Sequence, residues 1–146
     1  MDKKVVLITG GSSGIGKSIG TYLTQKGFTV YGTTRNPKNY PDFKEFELVQ
    51  LDVKDVESIQ KAVSHVISKE NRLDVLINNA GVGITGPIEE TPHEEILNVF
   101  ETNFHGPIHV MKAVLPQMRK QGGGGIINIT SIAGYMGLPY RGFYSA

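Results

Sequence analysis

One stretch limits what this chain can fold into: Val5-Val6-Leu7-Ile8-Thr9-Gly10-Gly11-Ser12-Ser13-Gly14-Ile15-Gly16. Four apolar residues in a row read as a strand buried on both faces of a parallel sheet. Glycines follow at positions 10, 11, 14 and 16, and Ile15, Ile19 and Leu23 then recur at helical spacing through about Lys26. A strand, a glycine-rich turn and a helix together make an anion site. The first N–H groups of a helix have no partner within it and carry partial positive charge. Glycine lets the backbone turn tightly and approach a phosphate. Two phosphate formulas fit. Gly11 to Ser18 reads G-S-S-G-I-G-K-S, a P-loop pattern in which Lys17 would meet nucleotide phosphates and Ser18 would hold Mg²⁺. Thr9 to Gly16 reads T-G-G-S-S-G-I-G, a dinucleotide fingerprint with altered glycine spacing. In that second pattern Lys17 and Ser18 are ordinary first-turn helix residues.

The remaining strands and helices follow in alternation. Thr29 to Thr34 is β-branched and aromatic, a second strand, with Gly27 suited to the helix C-cap before it. Arg35-Asn36-Pro37 then opens a loop through Pro41. Phe46 to Val53 reads as a third strand with Asp52 at its end, and Asp55 as the N-cap of a helix whose buried face is Val56, Ile59, Val63, Val66 and Ile67. Leu73 to Asn78 is a fourth strand. Thr91-Pro92-His93-Glu94 reads as a capping box with proline at the first helical position, and Ile96, Leu97, Phe100 and Phe104 as the buried side of the helix it opens. Helical spacing resumes after Gly106, and Pro107 and Pro116 predict a break or kink. Ile126 to Thr130 is a fifth strand after a turn at Gly122–Gly125. Right-handed crossovers make this a doubly wound α/β domain with a parallel sheet. Thr9, Asn78 and Ser131 lie at carboxyl ends of strands, where such sheets bind ligands, and are expected to face one crevice.

Charge and composition narrow the partners. Across 146 residues the net charge is +1, which offers no field for nucleic acid or an anionic membrane. Cysteine is absent, so disulfides, thiolate nucleophiles and cysteine zinc sites are excluded. His105 and His109 stand four apart, but no third ligand accompanies them at metal spacing, and no metal is expected. No apolar run is long enough to span a membrane, and a cytoplasmic location is the default expectation.

The fourth strand runs directly into Asn78-Asn79-Ala80-Gly81. Two amides leaving an apolar strand must find hydrogen bonds, and can tie the sheet end to neighbouring loops. With T-G-G-S-S-G-I-G upstream, this chain resembles the classical short-chain dehydrogenase/reductase family along its whole length. The P-loop alternative predicts nothing at Asn78–Gly81. Its Walker B carboxylate would have to be Asp52, but Gln50 interrupts the apolar run before it. The resemblance implies a Rossmann-type sheet of about five strands in the order 3-2-1-4-5, with residues 1–146 forming a dinucleotide-binding domain. In family members this domain continues with a catalytic helix and further strands. It also implies a cofactor held by Gly10, Ser12, Ser13, Gly14, Ile15 and Gly16, with Asp52 and Val53 at the adenine and Asn79, Ala80 and Gly81 shaping the crevice. The end of the second strand carries Arg35 and no acid until Asp42. A carboxylate there suits the ribose of NAD and an arginine the 2′-phosphate of NADP, so NADP(H) is expected over NAD(H).

Three residues are implied for chemistry. The family has a serine after the fifth strand and a tyrosine thirteen residues on, in Tyr-x-x-x-Lys. Here these are Ser131 and Tyr144, and the lysine position falls two residues after Ala146. Tyr144 would exchange a proton with the substrate oxygen and Ser131 would hydrogen-bond it. Asn103, in Thr102-Asn103-Phe104-His105-Gly106, matches the family asparagine whose backbone holds a water in a proton relay. The lysine lowers the tyrosine pKa, so without it oxidation near pH 7 is expected to be largely lost. The reaction implied is hydride transfer between NADP(H) and a small carbonyl or alcohol substrate, by a protein that is a homo-oligomer when complete. The alternatives are a non-catalytic NADP(H)-binding module and a P-loop phosphotransferase. Tyr135, Tyr140 and Phe143 could line a substrate pocket or serve packing alone.

Overall fold

A computed structural model describes residues 3–146. Its centre is a five-stranded parallel sheet in the order β3-β2-β1-β4-β5, the order implied by the sequence. The strands are β1 (Val5–Ile8), β2 (Thr29–Thr34), β3 (Glu47–Gln50), β4 (Val75–Asn78) and β5 (Gly125–Asn128). β3 is half its expected length, because Leu51 begins the turn into the next helix while its backbone N–H still donates to the Thr34 carbonyl (2.9 Å).

β1 lies in the middle and is buried on both faces, as its apolar run predicts. Alternate side chains point to opposite faces. Val5 and Leu7 join the larger core with Tyr31, Leu51, Leu73 and Leu76, covered by helices α2 (Val56–Glu70) and α4 (Gly106–Lys120). Val6 and Ile8 join Val30 and Ile77 on the other face, covered by Ile19 and Leu23 of α1 (Gly14–Gln25) and by Phe46. The buried face of α2 is Ile59, Ala62, Val63 and Val66. Val56, expected on that face, is 48% exposed because it precedes the first full turn over the sheet. Asp55 caps α2 as expected, accepting from the amides of Glu57 (2.9 Å) and Ser58 (3.2 Å). Gly27 follows the C-terminus of α1 with φ +86°, the left-handed conformation that glycine adopts without strain.

Further local expectations are corrected. The capping box at Thr91 does not form: Thr91 Oγ1 donates to the Pro87 carbonyl (2.7 Å), and α3 (His93–Phe100) begins without a side-chain cap. Pro116 does not break its helix, since α4 runs through it. The irregularity lies earlier. Residues Glu101–His105 form a π-helical segment that joins α3 to α4, with the Gly106 amide donating to the Glu101 carbonyl five residues back. Pro107 has no N–H for the carbonyl of Asn103, which explains why the normal ladder lapses here. The inward face also differs from the expected one, and the π-helical turn lies before Phe104 but after Leu97. Val99 and Thr102 are buried, whereas Leu97 and Phe104, expected inside, are 50% and 57% exposed. β3 and β5 are the sheet edges, and at the β5 edge Ile127 and Ile129 are exposed.

Candidate cofactor and active site

A groove of about 440 Å³ opens at the carboxyl ends of β1, β2 and β4. Its floor is tied together by one buried threonine. Thr9 follows β1, and its Oγ1 accepts from the amides of both Asn79 (2.9 Å) and Ala80 (3.0 Å). Asn79 returns the contact, donating through Nδ2 to the carbonyls of Thr9 (3.0 Å) and Gly10 (3.2 Å). The backbone amides of Asn79 and Ala80 and the Asn79 side chain thus find partners, and they fix the glycine turn against the end of β4. Asn78 Nδ2 donates to Asn128 Oδ1 (2.9 Å), linking β4 to β5. Thr9 and Asn78 are therefore buried beneath the groove instead of facing it, which corrects the expectation of one shared crevice with Ser131.

The glycine turn itself has no slack. Gly10 has φ +65°, and a Cβ on it would stand 3.1 Å from Ala80 Cα. A Cβ on Gly16 would meet the Gly10 carbonyl oxygen at 2.3 Å, so the helix packs directly on the turn. Gly14, with φ +52°, faces open space. The Ser13 side chain makes no cap to α1, so no side chain blocks the amides at the helix N-terminus. That combination of open backbone donors and a helix N-terminus fits a diphosphate.

The implied cofactor residues meet here. Gly10, Ser12, Ser13, Ile15, Arg35, Asp52, Val53, Asn79, Ala80 and Gly81 all line the groove, while Gly14 and Gly16 shape the turn behind it. Ile15, at helical spacing with Ile19 and Leu23, is nonetheless 63% exposed at the groove. Arg35 stands at the exit of β2, exposed. Asp52 Oδ1 accepts from the Lys54 amide (3.0 Å), and the Asp52 amide donates to Ser58 Oγ (3.1 Å), which fixes this residue at the groove wall. Tyr40 and Lys54 are among the wall residues that sequence reasoning missed. Lys54 Nζ donates to Asn98 Oδ1 (2.9 Å), bridging this wall to α3. Tyr40 closes a 3₁₀ turn, its amide donating to Pro37 O (3.0 Å). The Asn36-Pro37 pair was the available signal, since Asn36 Oδ1 caps that turn at the Lys38 amide (3.1 Å).

Lys17 and Ser18, the residues of the P-loop pattern, are engaged elsewhere. Lys17 Nζ pairs with Glu45 (2.6 Å) and lies 5.0 Å from the centre of the Phe43 ring, and Ser18 Oγ donates to the Gly14 carbonyl (3.1 Å). This geometry does not suit the phosphate and Mg²⁺ roles of a P-loop.

The residues implied for chemistry sit outside the groove walls. Ser131 follows β5, and its Oγ accepts from the Ala133 amide (3.1 Å). Asn103 lies in the π-helical segment and clasps the loop after β4: its Oδ1 accepts from the Val82 amide (2.9 Å) and its Nδ2 donates to the Val82 carbonyl (2.8 Å). Tyr144 is on a short helix, α5 (Gly142–Ser145), with the Arg141 guanidinium 5.5 Å from its ring centre. The Tyr140 carbonyl accepts from the Gly86 amide (2.9 Å), docking this segment on the same loop after β4. Tyr135 and Tyr140 are exposed and Phe143 is half-buried. No group of acidic, histidine or cysteine side chains suited to a metal occurs among the described residues, and no described helix is long and apolar enough to cross a membrane.

Comparison with known proteins agrees with this geometry. The sequence model of the short chain dehydrogenase family matches residues 4–146. A 3-ketodihydrosphingosine reductase of Bacteroides thetaiotaomicron is 47% identical over 146 residues, covering all of this chain and 54% of that protein. Human 17-beta-hydroxysteroid dehydrogenase type 1 is 36% identical over 160 aligned residues, with 100% and 48% covered. Among solved structures, ElxO with NADP bound superposes with a TM-score of 0.89 at 36% identity, covering 98% of this chain and 61% of that one. An actinorhodin polyketide ketoreductase variant with NADPH gives 0.92 at 34% identity, covering 99% and 59%. The chain spans about half the length of the curated relatives it matches. On its glycine turn, its sheet order and these matches, the chain belongs to the short-chain dehydrogenase family of oxidoreductases.

Proposed function

We propose that this chain is the cofactor-binding part of an NADP(H)-dependent oxidoreductase that interconverts a small carbonyl compound and its alcohol. The observation that carries the cofactor reading is Arg35 at the groove end of β2, with no carboxylate at the neighbouring positions. The turn from Gly10 to Gly16, with Ser12, Ser13, Gly14 and Ile15, holds the diphosphate. Asp52 and Val53 meet the adenine, and Asn79, Ala80 and Gly81 border the nicotinamide half. NADP(H)-bound relatives of the same fold support the choice. The ketone reading draws on the names of a 3-keto reductase and a polyketide ketoreductase among the relatives.

When bound, NADPH supplies a hydride to the carbonyl carbon. Tyr144 gives its phenolic proton to the oxygen that becomes the alcohol, and Ser131 donates a hydrogen bond to that oxygen as charge develops. To do so the Ser131 hydroxyl keeps its hydrogen for the substrate while its oxygen accepts from Ala133. Asn103 holds the relay that returns a proton to Tyr144. Its side chain is spent on Val82, which leaves the backbone for the relay.

The test is NADPH consumption with a panel of ketones. Turnover is expected of the full-length protein that carries this chain, and Tyr144→Phe in it should reduce turnover by about 10²-fold or more while NADPH affinity stays within twofold. Equal turnover in Tyr144→Phe would remove Tyr144 from the chemistry. NADPH binding without turnover of any ketone would favour the second reading, a binding module.

A further inference from the structure

The lysine that completes the P-loop pattern has a different task. We infer that Lys17, Glu45 and Phe43 form a clasp that holds the loop after β2 in place, and that this clasp sets how well the protein distinguishes NADPH from NADH. This rests on the reading of Arg35 given above. Lys17 projects from the first turn of α1, the helix whose N-terminus meets the diphosphate. It pairs with Glu45 (2.6 Å) and covers the Phe43 ring at 5.0 Å. Phe43 meets Phe46 edge to face, with ring centres 4.9 Å apart. Phe46 is seated on two glycines: a Cβ on Gly20 of α1 would come within 2.3 Å of its ring, and one on Gly32 of β2 within 2.4 Å.

The segment from Arg35 to Phe46 is thereby anchored at its far end to α1 and at its near end to β2. Between the anchors lie Arg35 and Tyr40, both walls of the groove. The loop has internal bonds, from Asn36 to Lys38 and Asn39, but these shape its turn without fixing the turn against the groove. The clasp supplies that second constraint. Glu45 also keeps the Lys17 charge off the diphosphate, which NADH and NADPH share. Removing the clasp should therefore weaken the grip on the 2′-phosphate selectively. Lys17 and Glu45 are 42% and 29% exposed, so solvent screening limits the effect to about two- to fivefold.

The experiment compares wild type, Lys17→Met, Glu45→Gln and the exchanged pair Lys17→Glu/Glu45→Lys. Methionine keeps the stem over Phe43 and removes the charge. Two quantities are read: the Kd values for NADPH and NADH, and the rate of trypsin cleavage after Lys38, a site that none of the substitutions adjoins. The clasp predicts faster cleavage in both single variants and an NADPH Kd raised about two- to fivefold, with NADH changed by less than half that factor. The exchanged pair should recover most of both effects. Equal weakening of both cofactors in Lys17→Met, with cleavage unchanged, would make Lys17 a diphosphate ligand and overturn the clasp. Unchanged affinities and unchanged cleavage would overturn it too. If wild type binds NADH as tightly as NADPH, the Arg35 reading fails separately, and the selectivity assigned to the clasp falls with it; faster cleavage would then support the anchoring alone.

Discussion

Replacing Thr9 by valine isolates the hydrogen bonds that build the groove floor. The two side chains have nearly the same shape, and Thr9 is 1% exposed, so packing and strand propensity change little. What disappears is one oxygen that accepts from two amides, those of Asn79 at 2.9 Å and Ala80 at 3.0 Å. An amide stranded away from water costs about 1–3 kcal/mol. Asn79 and Ala80 are only half-buried, so the low end applies to each and the sum is about 2–3 kcal/mol. That is a large part of the roughly 5–15 kcal/mol that stabilises a domain. Urea unfolding followed by circular dichroism reads the difference. Thr9→Ser is the control: it keeps the oxygen and loses a methyl group, at about 1 kcal/mol. Valine should be clearly worse than serine. If valine lies within about 0.5 kcal/mol of wild type, or serine is the worse of the two, the hydroxyl does not hold the two strand ends together and the account of the floor is wrong.

Two further outcomes follow from the ends of elements. Asp74 accepts from Arg72 through both oxygens (2.7 and 2.8 Å) and from the Val5 amide (2.7 Å), and the Arg72 guanidinium first, then that amide, hold its carboxyl below the usual carboxylate range. A carboxylate favoured by folding contributes stability above its unfolded pKa of about 4 and loses it as the pH falls through the lower folded value. Urea midpoints should then be flat from pH 7 to pH 5 with respect to this group and fall below pH 4, by less in Asp74→Asn than in wild type. Asp55→Ala removes the cap on two α2 amides and should cost about 1 kcal/mol in the same assay, with Asp55→Asn retaining most of the wild-type stability.

Much of the architecture was legible because buried parallel strands leave an unmistakable trace. Val5 to Ile8 has to be apolar at every position, and Val75 to Ile77 for the same reason, since helices cover both faces. The glycine turn was legible because Gly16 has no room for a Cβ and Gly10 turns through a left-handed φ of +65°. The asparagine pair was legible because amides at a strand end need partners, and Asn79 found them at Thr9 and Gly10. Misreadings arose where a residue had two local options and a distant group decided. Thr91 had the spacing of a capping box, but the Pro87 carbonyl lay closer to its hydroxyl. Lys17 fitted a phosphate formula, yet Glu45, twenty-eight residues away in sequence, took its charge. The π-helical segment shifted the inward face at Phe104, which a constant helical period does not anticipate. Tyr40 and Lys54 carry no motif, and their places in the groove follow from how the third strand and its loops pack.

The central claim is that the groove takes a phosphorylated dinucleotide and that Arg35 reads its extra phosphate. Isothermal titration with NADPH, NADH and ATP-Mg²⁺, on wild type and Arg35→Glu, addresses it directly. The account predicts tighter binding of NADPH than of NADH to wild type and no comparable binding of ATP-Mg²⁺. Arg35→Glu should lose about tenfold or more in NADPH affinity and little in NADH affinity, since one charge-assisted contact is worth about 1.5–3 kcal/mol. Equal losses for the two dinucleotides, or ATP-Mg²⁺ binding in preference to both, would contradict it.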